Sequence, residues 1–336
     1  MTIGGFIGKY APLWRGHTPG HKGTLCARDV TEILDVFPGG LVEAAETRGA
    51  KLYGAEKLRF LTGGSSIGIK AAVLAAQPEV ILTDCYRHRA VDEAALLARA
   101  RLELIGGAEG ADGLPVLTTA ESVRRALKES GADCIVVQYP DYYGRAADLG
   151  EIAEEARSAG ATLIVDSAHG AHFALRPDLF PPSAVTEADA CNMSAHKTLG
   201  GLTQTAFLAA RGALAGRVDG MLDALGTTSP NYVLLASLEA CVDGADKLRA
   251  RYDGLKKFSD TFRSRHKCLN GDDFTRIAVD CGQGNGKRAA YAFYRRGVAA
   301  EKYDDRYVVF ILTPYDGEEG LGALAEAAEC VLGRGI

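Results

Sequence analysis

The chain alternates between short apolar runs and longer segments of helical spacing. Val80-Ile81-Leu82-Thr83, Cys134-Ile135-Val136-Val137 and Thr162-Leu163-Ile164-Val165 carry no polar face. That is the pattern of strands covered on both sides. Residues 90–101, 120–130 and 149–159 repeat apolar positions at helical intervals, and the last two meet Gly131 and Gly160, the expected helix stops. Such repetition predicts an α/β fold: a mostly parallel sheet flanked by helices, with right-handed crossovers and ligands beyond the carboxyl ends of the strands. Residues 230–260 read as one long helix on Leu234, Leu235, Leu238, Val242, Leu248 and Leu255. After it come a strand at 274–279, a helix at 287–296 closed by Gly297, a strand at 307–312 and a helix at 320–332. These make a small α+β unit. The pattern divides the chain into an N-terminal segment (1–45), a large domain (46–255) and a small C-terminal domain (256–336).

Composition narrows the function classes. The 336 residues hold 38 Lys and Arg against 43 Asp and Glu, a net charge of −5, and 47% are hydrophobic. There is enough apolar material to offset chain entropy, so disorder is excluded as the dominant state. A mildly acidic chain lacks the basic footprint of a nucleic-acid binder. No apolar run reaches the ~18 residues of a membrane span. The start, MTIGGFIGKYAPLWRGH, lacks the basic-then-apolar order of a signal peptide. Eight cysteines are scattered without a C-x-x-C pair. With no export signal they read as reduced thiols in a cytoplasm. Forty glycines exceed the usual share of about 7% and call for tight turns or close backbone approaches.

Four clusters carry candidate chemistry, each just after an apolar run. Thr62-Gly63-Gly64-Ser65-Ser66-Ile67-Gly68 opens a helix, where glycines, hydroxyls and free N–H groups suit a phosphate; its ordinary reading is a turn with a serine cap. Val165-Asp166-Ser167-Ala168-His169-Gly170-Ala171-His172 ends an apolar strand with a carboxylate, which is costly there unless paired. A protonated ring nitrogen of a cofactor is one such partner. The Asp-x-x-His-x-x-His spacing raises a divalent metal, but no further ligand group lies near, and no metal is expected. The histidines read equally as structural. Ser194-Ala195-His196-Lys197-Thr198-Leu199-Gly200-Gly201 sets a lysine where desolvation frees its amine as a nucleophile, against the commoner surface lysine. In Thr83-Asp84-Cys85-Tyr86-Arg87-His88-Arg89 an imidazole is placed to stack on a flat ring. Together these are the parts that pyridoxal 5′-phosphate needs: a lysine for the Schiff base, a carboxylate for the pyridine nitrogen and a cup for the phosphate.

The sequence resembles the Orn/Lys/Arg decarboxylase family of fold-type-I pyridoxal-phosphate enzymes, relatives of aspartate aminotransferase. Thr18-Pro19-Gly20-His21-Lys22-Gly23 resembles its P-G-H-K-G and Gly64-Ser65-Ser66 its G-S-S loop. Asp84 to His88 resembles its D-x-x-x-H, and Pro140-Asp141-Tyr142-Tyr143-Gly144 its P-x-Y-x-G. Asp166 with Ala168-His169-Gly170-Ala171-His172 resembles D-E-A-H-G-A-H. Ser194 to Leu199 resembles S-x-H-K-T-L, continued by Thr203-Gln204-Thr205-Ala206, and Thr228-Ser229-Pro230 resembles T-S-P. The resemblance implies that Lys197 is the Schiff-base lysine, Asp166 the pyridinium partner and His88 the stacking residue. It surrounds the cofactor with Gly64, Ser65, Ser66, Ala168, His169, Ser194 and His196, within the 46–255 domain. Thr228 serves the phosphate site of the neighbouring subunit, which implies a homodimer with shared active sites.

Two departures stand out. Ser167 replaces the family glutamate. The chain also resembles a short form, without the N-terminal wing of some family decarboxylases or their usual C-terminal appendage. The implied reaction is decarboxylation of a basic or polar amino acid, with reprotonation at Cα by Lys197, His196 or a tyrosine such as Tyr143. Arg306, before the strand at 307–312, is a candidate carboxylate clamp. If it grips the substrate, an aminotransferase or C–S lyase on the same scaffold gains ground. A non-catalytic cofactor-binding paralogue is the remaining alternative, and a mere scaffold needs neither Lys197 nor Asp166.

Overall fold

The computed structural model describes residues 1–31, 40–107, 109–110 and 112–333. Its larger sheet holds β1 (Lys57–Leu61), β2 (Val80–Thr83), β3 (Arg101–Leu104), β4 (Cys134–Gln138), β5 (Thr162–Asp166), β6 (Ala190–Ser194) and β7 (Ala206–Ala210). Their spatial order is β1-β7-β6-β5-β4-β2-β3. β2 to β6 pair in parallel, as expected of the α/β pattern. β7 runs antiparallel to both neighbours, β6 and β1. The physical reason is the connection: residues 195–205 return the chain directly, with only the short helix Ala195–Thr198 between, too little for a crossover. β1 therefore points the same way as the parallel set.

Both faces of the sheet are buried. Leu163 and Val165 belong to one core cluster and Ile164, between them, to the other. Ile135 and Val137 alternate with Cys134 and Val136 in the same way. The helices 120–130 and 149–159 stand as read, closed by Gly131 and Gly160 in the left-handed conformation. The helix expected at 90–101 is Arg89–Ala98; Arg99 caps it, and the chain enters edge strand β3.

The single helix expected over 230–260 is three: Tyr232–Asp243, Ala245–Arg249 and Tyr252–Arg265. Gly244, a poor helix former, marks the first break. The bends bring Arg249 to donate to the Leu175 carbonyl at 3.0 Å and Arg251 to that of Pro314 at 3.0 Å.

A smaller antiparallel sheet follows, ordered β8 (Arg276–Asp280), β10 (Tyr307–Ile311), β9 (Lys302–Tyr303). β8 begins later than the expected 274–279 because Asp273 anchors a turn, taking the Thr275 N–H at 2.9 Å and its hydroxyl at 2.6 Å. The helices Gly286–Tyr294 and Glu318–Leu332 accompany this sheet, and Phe293, Leu324 and Ala328 share a core with Ile277, Val308 and Phe310.

One polar contact ties the helix Leu41–Tyr53 to edge strand β1. Glu46 is 5% exposed, and its carboxylate accepts from the Phe60 N–H at 2.8 Å and the Arg59 guanidinium at 2.9 Å. Burial pushes this carboxyl up to about 7, against the opposing pull of Arg59 and the Phe60 N–H. No helix among the described residues is long and apolar enough to cross a membrane.

Candidate active site

β1, β2, β4, β5 and β6 all end at one edge of the large sheet, and the chain leaving each of them lines a cavity of about 270 Å³ there. Its walls include Gly64, Ser65 and Ser66 after β1, His88 after β2, Gln138 and Tyr142 at and after the end of β4, Asp166, Ala168 and His169 at and after the end of β5, and His196 and Lys197 after β6. Thr203 and Gln204 complete them.

Asp166 is the last residue of β5, in register with Asn192 of β6. It is buried, and one carboxylate oxygen accepts from the Ala168 N–H at 3.2 Å. Burial raises its pKa, opposed by Lys197, the Ala168 N–H, His88 and Asn192. A buried carboxylate so placed gains strongly from a cationic N–H donor.

Lys197 lies on the one-turn helix that follows β6. Its Nζ is 2.9 Å from His169 Nε2 and 5.5 Å from the centre of the Tyr142 ring. Burial lowers its pKa, Asp166 and Glu301 pull it back up, and Arg276 adds to the lowering. His196 turns Nδ1 to the Thr205 carbonyl at 2.9 Å, which that nitrogen satisfies by donating. The turn beyond depends on Gly200, whose φ is +75°. A Cβ there would stand 2.1 Å from the Tyr315 ring, so only glycine admits this packing.

The helix Ser65–Ala76 starts at Gly64 without a side-chain cap. The Ile67 N–H donates to the Gly64 carbonyl at 3.2 Å, so the Ser65 and Ser66 N–H groups and the two serine hydroxyls are the donors offered to an anion. Opposite, the Gln204 carbonyl accepts from the Gly64 N–H at 2.8 Å. Behind them Ser194 is fully buried, and its hydroxyl has no hydrogen-bond partner among the described residues. His88 accepts from the Ala90 N–H through Nδ1 at 3.1 Å, which caps the helix Arg89–Ala98, and among the described residues Nε2 takes no hydrogen bond.

Thus Gly64, Ser65, Ser66, His88, Asp166, Ala168, His169, His196 and Lys197 come together, and Ser194 lies buried at the end of β6. Thr228 is exposed in the turn between the helices Gly212–Leu225 and Tyr232–Asp243 and does not line this cavity.

Two expected substrate residues stand elsewhere. Arg306 is committed to Asp280 through two bonds of 2.9 and 2.7 Å and to the Asp112 carbonyl at 3.2 Å. Tyr143 is buried and donates to Asp304 at 2.5 Å. Its neighbour Tyr142 lines the cavity instead.

Sequence reasoning also passed over Arg276. This fully buried residue reaches His169 Nδ1 at 3.2 Å and the His169 carbonyl at 3.0 Å. A charged residue inside the strand-like run 274–279, followed directly by Ile277-Ala278-Val279, was the available signal. Among the described residues no group of three or more His, Cys, Asp or Glu is placed to hold a metal ion.

Residues 25–278 match the family described as Orn/Lys/Arg decarboxylase, major domain. The chain belongs to the Orn/Lys/Arg decarboxylase family. Among curated relatives of this family member, the uncharacterized protein YaaO of Bacillus subtilis (strain 168) is 33% identical over 248 residues, 66% of this chain and 52% of its own. An arginine decarboxylase of the same organism is 33% identical over 208 residues, 60% of this chain and 42% of its own. The chain spans about half the length of these curated relatives. Among solved structures, the constitutive lysine decarboxylase of E. coli superposes with a TM-score of 0.81 at 16% identity, covering 97% of this chain and 59% of its own. A ureidoglycine-glyoxylate aminotransferase from Bacillus subtilis gives 0.72 at 15% identity, covering 100% and 92%. Both likenesses concern the fold.

Proposed function

We propose that this chain is a pyridoxal-phosphate-dependent decarboxylase of a basic or other polar amino acid, with Lys197 carrying the cofactor. The observation that supports this most is one cavity holding a desolvated amine, a buried carboxylate and an uncapped helix start. The donor set fits the group. Ser65, Ser66 and the helix start suit its phosphate, and the orphaned Ser194 hydroxyl lies close in sequence to Lys197. Asp166 suits a protonated ring nitrogen and His88 a flat ring face. Bound there, pyridoxal phosphate supplies an electron sink conjugated with the bonds of the substrate Cα.

The remaining work falls to the chain. Lys197 offers its amine in the neutral, nucleophilic form that burial favours. Asp166 holds a proton on the ring nitrogen by pairing with it. Loss of CO₂ leaves Cα to take up one proton; Lys197, once charged by the proton that the incoming substrate ammonium gives up, would deliver it, and Tyr142 and His196 line the same cavity. The engagement of Arg306 with Asp280 leaves it unavailable as a carboxylate clamp, which supports loss of CO₂ over transamination. Thr228, exposed on its turn, would complete the phosphate site of a second copy in a homodimer.

Borohydride reduction of the cofactor-loaded chain, followed by peptide mass spectrometry, should fix the cofactor on Lys197. No capture at Lys197 would overturn the cofactor assignment. A panel of amino acids assayed for CO₂, keto acid and ammonia tests the reaction, and keto acid without CO₂ would replace the decarboxylase with an aminotransferase.

A further inference from the structure

Arg276 is a buried cation outside the cavity lining, and the chemistry described so far does not use it. It lies at the start of β8, with no exposed surface. One terminal nitrogen donates to the His169 carbonyl at 3.0 Å and stands 3.2 Å from His169 Nδ1. The other donates to Thr275 Oγ1 at 3.3 Å and faces Asp273 at 3.8 Å. Asp273 is itself held by the Thr275 N–H and hydroxyl, with His172 Nε2 at 3.4 Å. A guanidinium has donors only. His169 Nδ1 must therefore accept, and a neutral imidazole then carries its one proton on Nε2. That proton points at Lys197 Nζ, 2.9 Å away, where only an uncharged amine has a lone pair to receive it.

We propose that Arg276 is a positioning residue, which fixes His169 as the Nε2–H tautomer so that this N–H donates to the lone pair of the Lys197 amine. The inference rests on Lys197 being the reactive lysine of the proposed function. The surroundings agree. Burial, then Lys197, Arg276, His172 and His196, hold His169 well below its ordinary range, so the ring is neutral. The groups facing Lys197 are Asp166 at the end of β5, His169 beyond it, Tyr142 after β4, Arg276 on β8 and Glu301 before β9, and those facing His169 include His172 and His196 as well. Of the two carboxylates, Asp166 is buried and Glu301 exposed. Among the described residues neither takes a hydrogen bond from Nζ, whose close polar neighbour is His169.

The test uses the full chain without cofactor, so it stands apart from borohydride capture. Histidine labelled with ¹⁵N reports the tautomer directly, with His169→Gln assigning the signal. The wild-type chain should show His169 as a single neutral Nε2–H form across the neutral range. Arg276→Met should replace it by a mixture or by Nδ1–H. In the same variant the pH midpoint for acylation of Lys197, read by mass spectrometry, should rise. Each unit of rise lowers the acylation rate at neutral pH about tenfold. A wild-type ring protonated on Nδ1, or on both nitrogens, overturns the proposal. So does a folded Arg276→Met chain that keeps a single Nε2–H form. The wild-type spectrum decides even if that variant does not fold, since a proton on Nδ1 leaves Arg276 nothing to fix. If the tautomer is as stated but no cofactor is captured on Lys197, the proposed function fails and the role of Arg276 survives.

Discussion

Glu46 should make stability fall with rising pH in a way that one substitution removes. Its folded carboxyl sits at about 7, against an ordinary 4.5, chiefly because burial penalises the charge. A carboxyl that binds its proton more tightly when folded stabilises the fold fully below pH 4.5. That contribution is lost as pH rises through about 7. The gap between the two values is worth roughly 3 kcal/mol, at about 1.4 kcal/mol per pH unit. Glu46→Gln keeps an acceptor for the Phe60 N–H and cannot ionise. Wild type should therefore lose roughly 3 kcal/mol relative to the variant between pH 4.5 and pH 8. Urea unfolding at a series of pH values measures this, with the variant cancelling every other titrating group. Circular dichroism is the right probe, because the single tryptophan, Trp14, is 91% exposed and reports little of the core. A wild-type-minus-variant difference that is the same at both ends of the range would refute the reasoning.

Lys197→Ala should abolish both borohydride-stable cofactor capture and turnover, checked by peptide mass spectrometry and CO₂ release. Asp166→Asn should keep the cofactor but lower turnover by roughly a hundredfold or more, since the ring proton loses its counter-charge; steady-state rates on the saturated enzyme test it. Gly200→Val should destabilise by roughly 1–3 kcal/mol from the backbone alone, and pairing it with Tyr315→Ala should recover only the steric part in thermal melts. Ile164→Ala, in the middle of β5, should cost about 2–5 kcal/mol in denaturant titration.

Much of the fold was legible because β2, β4 and β5 carry apolar runs broken only at their ends, with helices of clear period between them. β6 and β7 were not. Asn192 and Ser194 put polar groups into a fully buried strand, and Ala206-Phe207-Leu208-Ala209-Ala210 is as good a helix as a strand. β3 is an edge strand with exposed Arg101 and Leu104, so it carries no burial signature. Lys197, Asp166 and the Gly64 to Ser66 turn, which share one cavity, were readable because each lies within a short motif of chemically distinctive residues. Arg276 was not, because it meets His169 across 107 positions of sequence. Arg306 is a candidate clamp from its place before β10, but Asp280, aligned with Tyr307 across the β8–β10 pair, claims it. Tyr142 and Tyr143 are adjacent in one motif, and only tertiary packing decides which of them faces the cavity.

The antiparallel pairing of β1 has a consequence for how the chain is made. Leu61 aligns with Ala206 and Lys57 with Ala210, so β1 has its sheet neighbour only after β7 exists. A growing chain synthesised from its N-terminus completes β2, β4, β5 and β6 while β1 waits at an unfilled edge. Gly64, Ser65 and Ser66 follow β1 directly and depend on its docking. This turn is thus among the earliest parts of the cavity to be synthesised and among the last to be seated, and a nascent or truncated chain that stops short of β7 has no sheet neighbour to seat it.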